Sequence, residues 1–285
     1  MSSATEVFKL LVHSAKQVVQ VVANGERVVC GEAASRVALL EQTDGTGISI
    51  VVDSCGNIHD LGTDEAIAQK YKNVQFLKKI NAEGKCVLPG LVDAHTHPVW
   101  AGDRVNEFAM KLAGATYMDV HKAGGGIYHT VQKTRLATED QLLSLLLNRL
   151  DRMLKSGTTL VEAKSGYGLD AITEMKMLRV IQRAREKTRV DISSTFCGAH
   201  AVPKGMTPEE ATESVLNDQL PALKLMMDTN DMSVDNIDVF CEKGVFDVEQ
   251  SRRILETGRI LGLQLNFHGD ELHPVGAAEL EYGGY

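Results

Sequence analysis

From Leu88 onward, short β-branched or aliphatic runs alternate with amphipathic helical stretches, and this alternation constrains the fold more than any other feature. The runs are Cys86 to Val92, Thr158 to Val161, Val190 to Thr195, Ile237 to Phe240 and Leu263 to Phe267. Helical stretches between them carry explicit start signals. Thr138 with Gln141 predicts a capping box ahead of the apolar stripe Leu142 to Lys155, which stops at Gly157. Thr207-Pro208-Glu209-Glu210 supplies an N-cap, a proline at the first helical position and a boxed acid. Asp170 and Asp247 are placed to cap helices over Ala171 to Glu186 and Val248 to Leu261. These steps predict an α/β region with a parallel sheet over residues 88–285, as about five βα units of a TIM-like (β/α) barrel. Residues 1–87 read differently. Gln17 to Ala23, Ile48 to Ser54 and Asn57 to Leu61, the last two joined by a Cys55-Gly56 turn, predict a small β-rich domain.

The chemically competent side chains gather where the predicted strands end. His95 and His97 follow the first, Tyr167 the second, His200 the third, and His268 with Glu271 the fifth. In a β/α barrel the carboxyl ends of the strands form the face that carries the active site. His95 and His97 lie two apart on a strand, so their imidazoles point the same way, and two neutral imidazoles converging suit zinc or iron. An isolated His-x-His pair is more often a polar strand end; here it closes an apolar run and precedes a glycine-containing loop, which favours a metal.

The stretch Pro89-Gly90-Leu91-Val92-Asp93-Ala94-His95-Thr96-His97 resembles the first-strand signature of the metal-dependent amidohydrolase superfamily. Its continuation Pro98 to Arg104 is similar to the imidazolonepropionases within it. So are Ala123-Gly124-Gly125-Gly126-Ile127, Lys164-Ser165-Gly166-Tyr167-Gly168-Leu169, Cys197-Gly198-Ala199-His200 and Phe267-His268-Gly269-Asp270-Glu271-Leu272. The blocks keep family order across residues 85–280. The Ala123 and Lys164 blocks weigh against a dihydroorotase or a nucleobase deaminase, which share mainly the His-x-His.

The resemblance implies one divalent metal ion, zinc or iron, on His95, His97 and His268. It implies contacts from Arg104, Tyr167, His200 and Glu271 to 4-imidazolone-5-propanoate, with N-formimino-glutamate as product. Those side chains suit the task. A guanidinium grips a carboxylate at two points. Tyr167 and His200 can hydrogen-bond to ring heteroatoms or the carbonyl, and Glu271 can handle protons of water or of a ring nitrogen. The expected chemistry is hydrolysis of a cyclic amide by metal-activated water, whose pKa falls from 15.7 toward ~7, with the carbonyl polarised by the metal or by His200.

The resemblance also sets an expectation about extent. The superfamily places a further histidine after a sixth strand and a metal-binding aspartate after an eighth, and the region from Leu88 is shorter than the ~250 residues typical of a closed barrel. An open five-strand arc would expose strand edges and an apolar interior, so poor solubility is expected. Three neutral imidazoles would face a dication without charge compensation, so weak activity is expected, and Glu281 to Tyr285 departs from the family's helix pattern. A competing reading is a catalytically impaired isoform that binds full-length subunits; a homodimer is the assembly expected otherwise.

Other groups read more plainly. Lys164 reads as a supporting or surface residue, because the bridging lysine of two-metal relatives follows the fourth strand and Lys164 follows the second. Glu242 and Lys243 sit near the fourth strand's end but read the same way, because imidazolonepropionases resemble the one-metal branch. Gly124 to Gly126 reads as a loop near the site rather than a phosphate cradle. His121 and His129 read as solvated, and His273, His13 and His59 as outside the site. With 38 acidic and 30 basic residues, net charge −8, nucleic-acid binding is not expected. Five scattered cysteines without CxxC spacing and no apolar run long enough for a membrane or a secretory signal predict a cytoplasmic protein.

Overall fold

The computed structural model describes residues 6–22, 25–26, 28–42, 45–116 and 125–278. His121, Gly124 and the tail Glu281 to Tyr285 lie outside the described residues. The chain divides into two units, Met1–Pro89 and Gly90–Tyr285.

The first unit contains β1 Val7–Ala15, β2 Gln17–Gln20, β3 Ala38–Glu41, β4 Ile48–Val52, β5 Ile58–Thr63, the helix α1 Asp64–Lys70, β6 Gln75–Asn81 and β7 Cys86–Val87. They form one sheet of order β5-β4-β1-β6 and a smaller one of order β3-β2-β7. The turn between β4 and β5 is closed by the Asp53 carboxylate, which accepts the Asn57 backbone N–H at 2.9 Å. Successive side chains of β4 face opposite ways. Ile48 and Ile50 accordingly pack with Ala15, Val18 and Ala82, while Val51 packs with Phe8, Ile67 and Tyr71.

The run Cys86 to Val92, read as one strand, is two. Cys86–Val87 pairs with β2 in the first unit, and the first barrel strand, β8, is Leu91–Thr96. Pro89 lies between them; it fixes φ and has no N–H for a ladder, so the strand is interrupted there.

The second unit continues with β9 Thr158–Lys164, β10 Asp191–Ala199, β11 Asn236–Cys241 and β12 Gln264–Gly269. All neighbours pair parallel, in the order β12-β11-β10-β9-β8. Helices α2 Val105–Leu112, α3 Ile127–Leu136, α4 Glu139–Lys155, α5 Ala171–Arg185, α6 Pro208–Ser214, α7 Leu220–Asp228 and α8 Val248–Ile260 form the connections. The architecture is α/β: a five-stranded, incomplete (β/α) barrel. Its helix starts are those expected: capping boxes at Thr138/Gln141, Thr207/Glu210 and Asp247/Gln250, and Asp170 accepting the Thr173 N–H at 2.7 Å.

The main core lies between the outer face of this sheet and its helices. Val161, Ala163, Phe196, Ile237 and Val239 pack against Leu142, Leu146 and Leu150 of α4, Met177, Leu178 and Ile181 of α5, and Ile254 of α8. The other face of the same strands is polar. Glu162 and Lys164 alternate with Val161 and Ala163, Asp238 separates Ile237 from Val239, and Asn266 and His268 flank Phe267. The strands run one to four residues past their predicted ends, because these inward polar residues still hold extended backbone. Two of the four predicted site histidines therefore sit differently from expectation: His95 and His268 lie within strands, while His97 and His200 directly follow theirs.

Candidate metal centre

Three imidazoles from the two outer strands converge. His95 Nε2 lies 2.9 Å from His268 Nε2, and His97 Nε2 lies 3.1 Å from it. Period-two geometry puts His95 and His97 on one face of the chain leaving β8; His268 occupies the equivalent inward position on β12. Behind them, His200 stacks on His97 with ring centroids 4.3 Å apart and planes 11° from parallel. Tyr167 closes the group, 5.7 Å from His97 and 5.3 Å from His200 between centroids. Phe240, which the sequence did not single out, packs in T-shaped contacts with its ring centroid 5.6 Å from that of His268 and 6.4 Å from that of His200.

Burial favours the neutral form of His95, His97 and His200. Desolvation, then the neighbouring His200 and His268, lowers the His97 pKa to about 2. Burial lowers His200 to about 4, against a smaller opposing effect of its bond to Gly166. His95 is also lowered, first by burial and then by His268. Burial pushes the Tyr167 hydroxyl up, so it stays a donor at neutral pH. His200 Nδ1 lies 2.9 Å from the Gly166 carbonyl oxygen, which can only accept, so Nδ1 carries the proton. Its Nε2 is then an acceptor. As a neutral ring in this tautomer it has no second N–H to donate.

The loop carrying Tyr167 is held from beneath. Glu174, fully buried on α5, accepts the N–H groups of Gly166, Gly168 and Leu169 at 2.9, 2.7 and 2.8 Å. The loop after β8 is held by Arg149, whose Nη1 donates to the carbonyls of Pro98 and Trp100 while its guanidinium lies 3.6 Å over the Trp100 ring.

The residues expected at the two ends of the substrate are less converged. Arg104 is exposed and its Nε donates to Glu107 Oε2 at 2.8 Å; Glu107 in turn accepts the Gly126 N–H. Glu271 is exposed in the loop after β12. Neither joins the ring contacts above among the described residues. Glu242, read as a supporting or surface group, is buried and accepts the N–H groups of Leu272 and His273 at 2.9 and 3.3 Å, which fixes that loop. Lys243 is exposed, His129 is half-buried rather than solvated, and His273 Nδ1 pairs with Glu242 at 3.1 Å.

Beneath the histidines lies a buried charged layer. Lys164 is fully buried, with Nζ 2.5 Å from Glu162 Oε1 and 2.7 Å from Asp238 Oδ2. Burial disfavours the Lys164 ammonium, but the two carboxylates outweigh it and raise its pKa. Burial likewise pushes Asp238 up, and the His268 bond and Lys164 together bring it below the usual range. Asp238 Oδ1 meets His268 Nδ1 at 2.6 Å. Thr195 donates to Glu162, and the Thr96 N–H reaches Glu162 Oε2 at 3.3 Å. The sequence alone did not flag Glu162 or Asp238. The signal was a carboxylate alternating with aliphatic residues in a strand that should be apolar on both faces.

The donor set fits a metal ion. A tetrahedral ion with metal–nitrogen bonds of about 2.0–2.1 Å separates its ligand nitrogens by about 3.3 Å, close to the spacing here. With His268 Nδ1–H directed at Asp238, its Nε2 lone pair faces two further Nε2 atoms, an arrangement a cation resolves. A carboxylate on the far nitrogen is the usual support of a metal-bound histidine.

The sequence is 56% identical over 271 residues to a probable imidazolonepropionase of Nematostella vectensis, covering 95% of this chain and 63% of that protein. The probable imidazolonepropionase of Homo sapiens is also 56% identical over 271 residues. That of Dictyostelium discoideum is 52% identical over 274 residues, covering 96% of this chain and 63% of the relative.

The chain belongs to the imidazolonepropionase family.

It spans somewhat less than two-thirds of the length of these family members. No family model matches it. Solved structures place this imidazolonepropionase-family chain in the amidohydrolase fold. A 5-methylcytosine deaminase from Klebsiella pneumoniae aligns with a TM-score of 0.60 at 12% identity, covering 95% of this chain and 54% of that one. Atrazine chlorohydrolase from Arthrobacter aurescens, complexed with zinc, aligns at 0.54 and 13%, covering 96% and 56%. No helix among the described residues is long and apolar enough to cross a membrane.

Proposed function

We propose that this chain carries the metal-binding and ring-binding part of an imidazolonepropionase, which hydrolyses 4-imidazolone-5-propanoate to N-formimino-glutamate. The observation that carries the reading is the convergence of His95, His97 and His268 through their Nε2 atoms, with His200 stacked on His97 and Tyr167 edge-on to His200. In this reading the three histidines hold one divalent ion, zinc or iron. Such an ion supplies Lewis acidity, activating water and polarising a carbonyl oxygen at neutral pH.

The chain's own residues do the rest. Tyr167, kept protonated by burial, donates to a heteroatom of the imidazolone. His200, neutral and with its proton on Nδ1, accepts from a ring N–H. Arg104 exchanges its Glu107 partner for the propanoate carboxylate, a two-point grip that Lys could not supply. Glu271, three residues past His268 and open to solvent, takes up and returns the proton that must reach the leaving nitrogen. Five unpaired cysteines, three of them exposed, support a reducing cytoplasmic setting.

The test is ring opening by the purified chain with added zinc or iron, with bound ion quantified in the same samples. The reading expects one ion per chain, metal-dependent turnover, and loss of both in His95→Ala. A chain that binds no ion and gives no product would remove the hydrolase reading from it.

A further inference from the structure

We propose that Asp238 is a positioning residue for the metal centre: braced by the buried Lys164, it fixes His268 as the Nδ1–H tautomer and aims its Nε2 at His95 and His97. The inference rests on the metal-centre reading above for its consequence, though not for its geometry.

Asp238 lies in the middle of β11, one position inward between Ile237 and Val239, and is completely shielded from solvent. Its two oxygens are committed to different partners. Oδ2 meets Lys164 Nζ at 2.7 Å, which prevents the carboxyl group from turning, and Oδ1 meets His268 Nδ1 at 2.6 Å. A carboxylate accepts and does not donate, so the imidazole proton must sit on Nδ1. Register supports the arrangement: β11 and β12 pair parallel with Asp238 opposite Asn266 and Phe240 opposite His268, so the carboxylate lies beneath the ring rather than beside it.

Charge is the second strand of the argument. Lys164 neutralises one of the two carboxylates it touches, Glu162 and Asp238, and the layer keeps one net negative charge. A cation held by neutral imidazoles is stabilised by negative charge close by. This buried anionic layer directly beneath them supplies compensation from residues that are not ligands. His200 makes a useful contrast, since its Nδ1 is directed at a backbone carbonyl that bears no net charge. The two rings should therefore respond differently to loss of Asp238.

The experiment reads the tautomers of the histidine rings by nitrogen-15 NMR in the metal-free full chain at pH 8, and zinc affinity by chelator competition. Wild-type His268 is expected to be Nδ1–H. Asp238→Asn is expected to mix its tautomers and weaken zinc binding by about 10–100-fold, the usual cost of losing such a support. His200 should keep its Nδ1–H form throughout. Glu174→Gln, which alters an equally buried carboxylate holding a different loop, is the control and should leave the His268 tautomer in place.

A wild-type His268 that carries its proton on Nε2 overturns the proposal without any variant, so a misfolded Asp238→Asn does not rescue it. So does an Asp238→Asn chain whose His268 tautomer and zinc affinity match wild type, or a Glu174→Gln chain that loses both equally. A wild-type chain that binds no zinc but shows the Asp238-dependent tautomer would sink the metal-centre reading and leave the positioning role standing.

Discussion

The two faces of the five-stranded sheet are built from adjacent residues of the same strands and obey opposite rules. On the outer face, Val161, Ala163, Phe196, Ile237 and Val239 pack against helices, and the stabilisation is non-directional burial. On the inner face, Glu162, Lys164 and Asp238 are also buried and His268 is half-buried, but each is held by named partners at hydrogen-bond distance. The outer face tolerates any side chain of suitable volume; the inner face tolerates few changes, because removing one charge strands another. A buried ion pair contributes little to net stability compared with an apolar replacement of the whole set, yet breaking it singly is costly.

Lys164→Met would break the comparison most sharply. It leaves Glu162 and Asp238 buried without their shared cation, and the expected cost is about 3–5 kcal/mol in denaturant unfolding of the second unit. A loss below about 1 kcal/mol would mean that water or relaxation compensates, as at a protein surface. Leu146→Ala on the outer face is expected to cost about 3 kcal/mol through the cavity it leaves. It should leave zinc affinity unchanged, and a parallel fall in affinity would show that the two faces are not separable.

Acidification tests the inner face alone. His97 and His200 are lowered to about 2 and about 4 when folded, against an ordinary value near 6.5. Below pH 6.5 the unfolded chain therefore binds more protons, so stability is present above that pH and lost as pH falls. Each ring is expected to remove about 2 kcal/mol between pH 8 and pH 5, measured as a shift in urea midpoint in the presence of chelator. A His200→Phe chain should lose about half of that slope. The smallest effect is expected at Thr138→Ala. Removing the α4 capping box should cost about 1 kcal/mol and leave the site untouched.

How much of this was legible follows the same division. Capping residues such as Thr138, Thr207 and Asp247 announce helix starts because their chemistry is local, and Leu142 to Leu150 reads as a core stripe from spacing alone. His95, His97, His200 and His268 were legible as chemistry gathered at strand ends, and the resemblance joined them into one site. Glu162 and Asp238 were not. A carboxylate between aliphatic residues in a short strand reads as a solvent-facing position, and only parallel pairing on both sides shows that there is no solvent to face. Lys164 was weighed as a metal-bridging group and set aside on its position in the strand order; its partners, two carboxylates from β9 and β11, could not be seen before those strands were aligned. The split of Cys86 to Val92 into two strands was written in Pro89, but hydrophobicity continued across it.

Gly166 ties two of these parts together. Its N–H is held by Glu174, its carbonyl sets the His200 tautomer, and its φ is +106°. A Cβ there would lie 3.0 Å from His200 Nδ1 and 3.1 Å from the Cys197 carbonyl oxygen. The position is therefore closed to inheritance of any other side chain without turning the imidazole. A side chain there would strain the backbone and press on the His200 ring and the strand carrying Cys197 together, so one inherited change would reach the loop, the ring orientation and the sheet at once.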